Sequence, residues 1–133
     1  MNDEALQTWN YFHDWYLDSL SIGPNIEPRT FALGLHLESR RAVVTFNGAT
    51  CVAVDRLGLL NIVYGIHVIS PEDAKYERAC RVLATGERLT NRKANTLAFV
   101  YSTLGAELAI ECDSVDARVF EEDIVDPGST SRR

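Results

Sequence analysis

The sequence predicts an α+β fold in which a curled, mostly antiparallel sheet or half-barrel of six or seven strands packs against one main helix at about residues 71–85. Three observations carry this. Apolar and polar residues alternate along much of the chain; the alternation yields once, after Ser70, to a helical period; and the connecting stretches are short and rich in Gly, Pro and polar residues. A chain of 133 residues is the size of one domain. One domain is therefore expected over 1–126, with a flexible tail over 127–133 at the end of DPGSTSRR.

Asp3 to about Phe12 admits a short helix, with Asn2 or Asp3 as N-cap. Trp15 to Ile22 reads as a strand, stopped by Gly23, Pro24 and Pro28. In TFALGLHLESRRAVVTFNGA, Phe31, Leu33, Leu35 and Leu37 fall at every second position, and Val44 and Phe46 repeat the spacing after the polar ESRR. That is an antiparallel hairpin with one buried face. Strands are expected at Thr50 to Asp55 and in NIVYGIHVIS, where Ile62, Tyr64, Ile66 and Val68 share one face and Val63, Gly65, His67 and Ile69 the other. Tyr76, Ala79, Cys80 and Leu83 then sit at i, i+3, i+4 and i+7, a helix stripe, with Ser70 as N-cap, Pro71 in the first turn and Gly86 as a left-handed C-cap. Two strands flank a Leu104–Gly105 turn, and a further one follows at Val115 to Phe120. Strand order is left open by patterns of this kind.

An apolar fraction of 46% and a charged fraction of 24% belong to a globular chain. No apolar run approaches the ~20 residues that span a bilayer, and MNDEALQTWN lacks the basic start of a signal peptide. The expectation is a cytoplasmic protein with no membrane partner. Cys51, Cys80 and Cys112 are odd in number and widely spaced, which favours small buried hydrophobes over a disulfide framework or zinc site. A net charge of −6 disfavours nucleic acid, whose affinity comes from cations on phosphates. The charge is uneven: eight acids and the single base Arg118 lie between Ala106 and Asp126, while six bases and only Glu77 and Glu87 lie between Lys75 and Lys93.

The stretch FHDWYLDSL raises the sharpest chemical question. Its catalytic reading is a pocket at His13, Asp14, Trp15 and Asp18, with His13 as general base oriented by an acid and joined by His36 or His67. Its plain reading makes the acids local caps and His13 a half-buried donor, because adjacent side chains on an extended segment point opposite ways. As a strand, it would put Tyr16 and Asp18 on one face with Leu20 and Ile22, and Trp15, Leu17 and Ser19 on the other. His13, His36 and His67 lack any local metal-ligand spacing, so no metal is expected, and no phosphate-cradling glycine loop or serine elbow calls for a cofactor or nucleophile. Glu107, Glu111, Asp113, Asp116, Glu121 and Glu122 form a candidate acidic patch that would steer a basic partner; the plain alternative is a solvated strand face.

The segments HDWYLDSLSI, VTFNGA, NIVYGIHVI and LGAELAIECDSVDARV resemble those of small bacterial immunity proteins from contact-dependent growth-inhibition and other polymorphic toxin systems. The resemblance spans most of residues 11 to 120 as a pattern of strands and turns. It implies a cytoplasmic, non-enzymatic protein that binds and neutralises one cognate toxin domain, often a basic nuclease, as a monomer or weak homodimer. It carries over no binding residue by position. The readings from other classes are a small enzyme or ligand-binding protein using the His13 pocket, and a structural protein whose strand edge pairs with a second copy.

Overall fold

The computed structural model describes residues 3–121. Glu122 of the candidate patch, the acids after it and the expected tail lie outside the described residues. The chain opens with α1 (Glu4–Thr8) and a 3-10 turn (Asn10–Phe12) whose three residues all have positive φ. This left-handed turn ends the helix earlier than expected, and Leu6 before it and Phe12, its last residue, are fully buried. Then come β1 (Tyr16–Gly23), β2 (Thr30–Leu37), β3 (Arg40–Asn47), β4 (Cys51–Asp55), β5 (Ile62–Ile69), α2 (Tyr76–Leu83), β6 (Thr96–Leu104), β7 (Glu107–Cys112) and β8 (Ser114–Glu121). Among the described residues the sheet has eight strands rather than six or seven.

All eight join one antiparallel sheet in the order β4-β7-β6-β5-β1-β2-β3-β8. β3 and β7 stand far apart in that order, yet the sheet curls until they meet. Asp113 N–H donates to the Asn47 carbonyl at 2.8 Å and Thr50 N–H to the Glu111 carbonyl at 2.9 Å. The short links 48–50 and 113 thus carry β3 into β4 and β7 into β8 around a shared corner.

The main core fills the inside of the curl. The hairpin delivers Phe31, Leu33, Leu35, Val44 and Phe46 to it, each at most 3% exposed, as the alternation requires. A second cluster lies outside the curl, where Ala79 and Val82 of α2 pack on Ala53, Ile69, Phe99 and Ala109. β6 and β7 are covered on both faces: Ala98, Val100, Leu108 and Ile110 point inward while Phe99 and Ala109 face the helix. Their near-continuous apolar runs follow from that.

Several expected details differ. α2 is eight residues long and does not start at Pro71, because Ser70 C=O accepts the Asp73 N–H and Asp73 Oδ1 accepts the Lys75 N–H. These turns use the groups that a first helical turn would need. Val82, rather than Cys80, completes its buried stripe. Among the described glycines only Gly48 and Gly105 have positive φ, so Gly86 is not a left-handed cap. A register shift at Tyr64 moves Val63 into the core with Ile66 and Val68 and turns Tyr64 out to solvent.

Candidate protein-binding face

A second register shift, between Leu17 and Ser19, is the local feature that builds the site. A bulge inserts one residue, so side chains that strict alternation would separate emerge together. Leu17 stays inside, and Tyr16, Asp18 and Ser19 all face outward. Gly34 lies opposite Ser19, and a Cβ there would stand 2.1 Å from the Ser19 hydroxyl. The face assignment made from simple alternation, with Asp18 beside Leu20 and Ile22, fails at this bulge.

Directly opposed residues of an antiparallel pair share a face. Following the register outward from Tyr16 gives Ile62 and Leu104 on one side and His36, Arg41 and Phe120 on the other. One cross-strand row therefore runs over six strands. Its centre is locked: Tyr16 stacks on His36 with centroids 5.2 Å apart, His36 Nδ1 lies 2.9 Å from Asp18 Oδ2, and Arg41 donates to both Asp18 oxygens at 2.8 Å. Tyr16 and Phe120 are about two-fifths exposed. α2 packs over β4, β5, β6 and β7 and leaves this half of the sheet uncovered.

Chemically, a carboxylate on Nδ1 orients an imidazole and leaves Nε2 outward, the geometry of an acid–base pair. Here the pair stands on the outer face of the sheet, with Asp18 exposed and His36 half-buried. One cavity of about 230 Å³ lies elsewhere, at the end of the curl against Phe31, Thr50 and Cys51.

The four pocket residues expected from FHDWYLDSL do not line one cleft. His13 Nδ1 donates to the Tyr64 carbonyl at 2.9 Å, and its Nε2 is 3.5 Å from exposed Asp14. Trp15 is buried, with Phe12 at its edge and the Arg40 guanidinium over its ring. Asp18 belongs to the His36 cluster instead. His67 stacks between Tyr11 and Tyr101, and burial lowers its pKa. Among the described residues no group of three His, Cys, Asp or Glu side chains is placed to hold a metal ion. Burial pushes the Cys112 thiol up to about 12 and raises that of Cys51, so these are packed, unreactive thiols.

The acidic patch is largely an internal partner of the basic segment. Arg78 donates twice to Glu107, at 2.8 and 2.9 Å, and Glu107 is only 8% exposed. Arg88 makes the same fork on Glu111, and Arg92 reaches Asp113 and the Gly48 carbonyl. The Arg88 hydrogen bonds hold the Glu111 carboxyl below its ordinary range. Asp116 takes a hydrogen bond from Asn47 and Glu121 one from Ser39. The two oppositely charged stretches of sequence thus face each other across the corner and the α2–β7 packing. Sequence reasoning passed over Arg41 and Phe120, which carry no motif, and the exposed leucines of DRLGLLN, whose signal was an apolar cluster without periodicity.

No protein-family model matches the chain, and no curated protein or solved structure matches it. No helix among the described residues is long and apolar enough to cross a membrane.

Proposed function

We propose that the chain is a non-catalytic protein-binding module of the immunity type, which neutralises a cognate toxin domain by docking it on the outer face of β1, β2, β3 and β8. The observation that carries this is the row through Tyr16, His36, Arg41 and Phe120. Aromatic and arginine side chains on a rigid platform are the composition of binding hot spots, and their mutual stacking and hydrogen bonds spare the ordering that binding would otherwise require. The net charge of −6 supports a basic partner through long-range steering of the whole molecule, not through a dedicated acidic patch. Within this reading the Asp18–His36 pair is a positioning element of the contact face, and the chain works without metal or cofactor in the cytoplasm of its host.

The test is binding and growth protection with the toxin domain encoded beside it. Tyr16→Ala and Phe120→Ala are each expected to weaken calorimetric affinity by about tenfold or more with the melting temperature nearly kept. Full affinity in the combined Tyr16→Ala, His36→Ala, Phe120→Ala variant would sink this face as the site. Absence of protection against every neighbouring toxin would sink the function.

A further inference from the structure

Three arginines share one cleft beside α2. Its volume is about 300 Å³, at the small end for a ligand site. Arg78 and Arg81 enter it from α2, three residues apart and so on one helix face, and Arg56 enters from the connection between β4 and β5. Asp55 and Glu107 are the carboxylates beside them. The loop that carries Arg56 is fixed. Asn61, almost completely buried, accepts from the Gly58 N–H at 3.0 Å and the Ala106 N–H at 2.9 Å, and donates to the Gly58 carbonyl at 2.9 Å. Arg56 itself stands at φ +63°, a left-handed conformation uncommon for a residue other than glycine.

The donors of these guanidiniums are unequally used. Arg78 spends Nε and Nη2 on the two oxygens of Glu107 and keeps Nη1. Arg56 lies 3.8 Å from Asp55, outside hydrogen-bond reach, and both are more than half exposed. Arg81 makes no ion pair or side-chain hydrogen bond among the described residues; only the weak negative end of α2, whose last turn it occupies, faces its charge. The cleft therefore holds one positive charge in excess, in a chain of net charge −6.

The geometry points to this cleft as an oxyanion site whose ligand is the phosphate group of a small free molecule. Guanidiniums are the side chains best suited to phosphate. Donors arriving from two elements fit a tetrahedral ion, with acceptors on every side, better than a carboxylate, which offers one edge to a single fork. The net charge repels extended polyanions such as nucleic acid or an anionic membrane, whereas a single ion answers to the charges within a Debye length of ~8 Å. Val82 supplies an apolar wall for a short organic body. Asp55 is the competing anion, from which the ligand takes Arg56. The site is separate from the docking face on β1, β2, β3 and β8.

Calorimetric titration with inorganic phosphate at fixed ionic strength tests this without any toxin, so its failure leaves the docking face untouched. A single saturable site with a millimolar or tighter Kd is expected. Arg81→Gln and Arg56→Asn should each weaken it by about tenfold or more, while Asp55→Asn, which removes the competitor and no donor, should tighten it by roughly threefold. All three positions are exposed, so melting temperatures should stay nearly fixed, and asparagine tolerates the left-handed backbone at position 56. Absence of saturable binding, unchanged affinity in Arg81→Gln, or weaker binding in Asp55→Asn overturns the inference. Acetate bound as tightly as phosphate also overturns it and leaves a carboxylate site. Phosphatidylcholine vesicles carrying phosphatidic acid probe a lipid source: binding to them that Arg81→Gln abolishes, with no binding of inorganic phosphate, overturns the inference and gives the cleft to a membrane.

Discussion

Replacing Asn61 with alanine separates a loop held by one side chain from a loop held by its surroundings. The carboxamide satisfies three backbone groups. Ala106 is fully buried, so its N–H would be left without a partner at a cost of about 1–3 kcal/mol. Gly58 is exposed, and its two groups can turn to water, losing only ~0.5–1 kcal/mol each. The expected destabilisation is about 2–5 kcal/mol. At ~2.1 cal/mol/K per residue, a chain of 133 residues loses ~10 °C of melting temperature for about 3 kcal/mol. Urea unfolding measures the loss, with an unchanged m-value as the sign that only stability moved. Native-state hydrogen exchange localises it: the Ala106 and Gly58 amides should lose protection beyond the global change, while amides of the β2–β3 hairpin follow global stability alone. A loss under ~1 kcal/mol with the Ala106 amide still protected would refute the assignment of Asn61 as the organiser of this corner.

Glu107→Lys sets a cation against Arg78 in a nearly buried site and should cost about 3–5 kcal/mol, whereas Asp116→Lys on the exposed face should stay within ~0.5 kcal/mol; equal, small effects in thermal melts would restore a solvated acidic face. Because its carboxyl is held low by Arg88, Glu111 stabilises the fold above the unfolded-state value of about 4.3 and loses that contribution as pH falls through its lower folded value. Arg88→Ala should shrink this acid-side slope in urea titrations, and an unchanged slope counts against the pairing. His67 has its pKa lowered by burial, so its neutral form is favoured by folding: stability is full above about pH 6.5 and declines as pH drops from there toward the folded value. His67→Phe, which keeps a ring between Tyr11 and Tyr101, should flatten that part of the profile.

The limits of legibility fall at particular residues. The hairpin from Thr30 to Asn47 follows the sequence alternation residue by residue, because a strand with one buried face has a period of two and a register slip would turn every apolar side chain to water. The same rule misplaces Asp18 and Tyr64, since one inserted residue in β1 and another in β5 reset the phase. A bulge costs nothing visible in composition. Helix α2 announces its position through the spacing of Tyr76, Ala79, Cys80 and Leu83, but Val82 rather than Cys80 is buried, and its start is decided by Asp73, whose carboxylate takes the Lys75 amide, a local competition that periodicity does not record.

Charge and chemistry separate along the same line. The sequence by itself determined that the chain is an α+β unit dominated by antiparallel strands, because burial patterns are local and repeat with the geometry of each element. It also determined that acids and bases are segregated into two stretches. Only the tertiary structure decided that those stretches neutralise each other through Arg78–Glu107, Arg88–Glu111 and Arg92–Asp113, that Asp18 meets His36 and Arg41 rather than His13, and that three leucines are displayed outward around a buried asparagine. Each of these depends on which strands become neighbours. Pairing distant segments is a three-dimensional choice made by the whole core, and no window of sequence contains it.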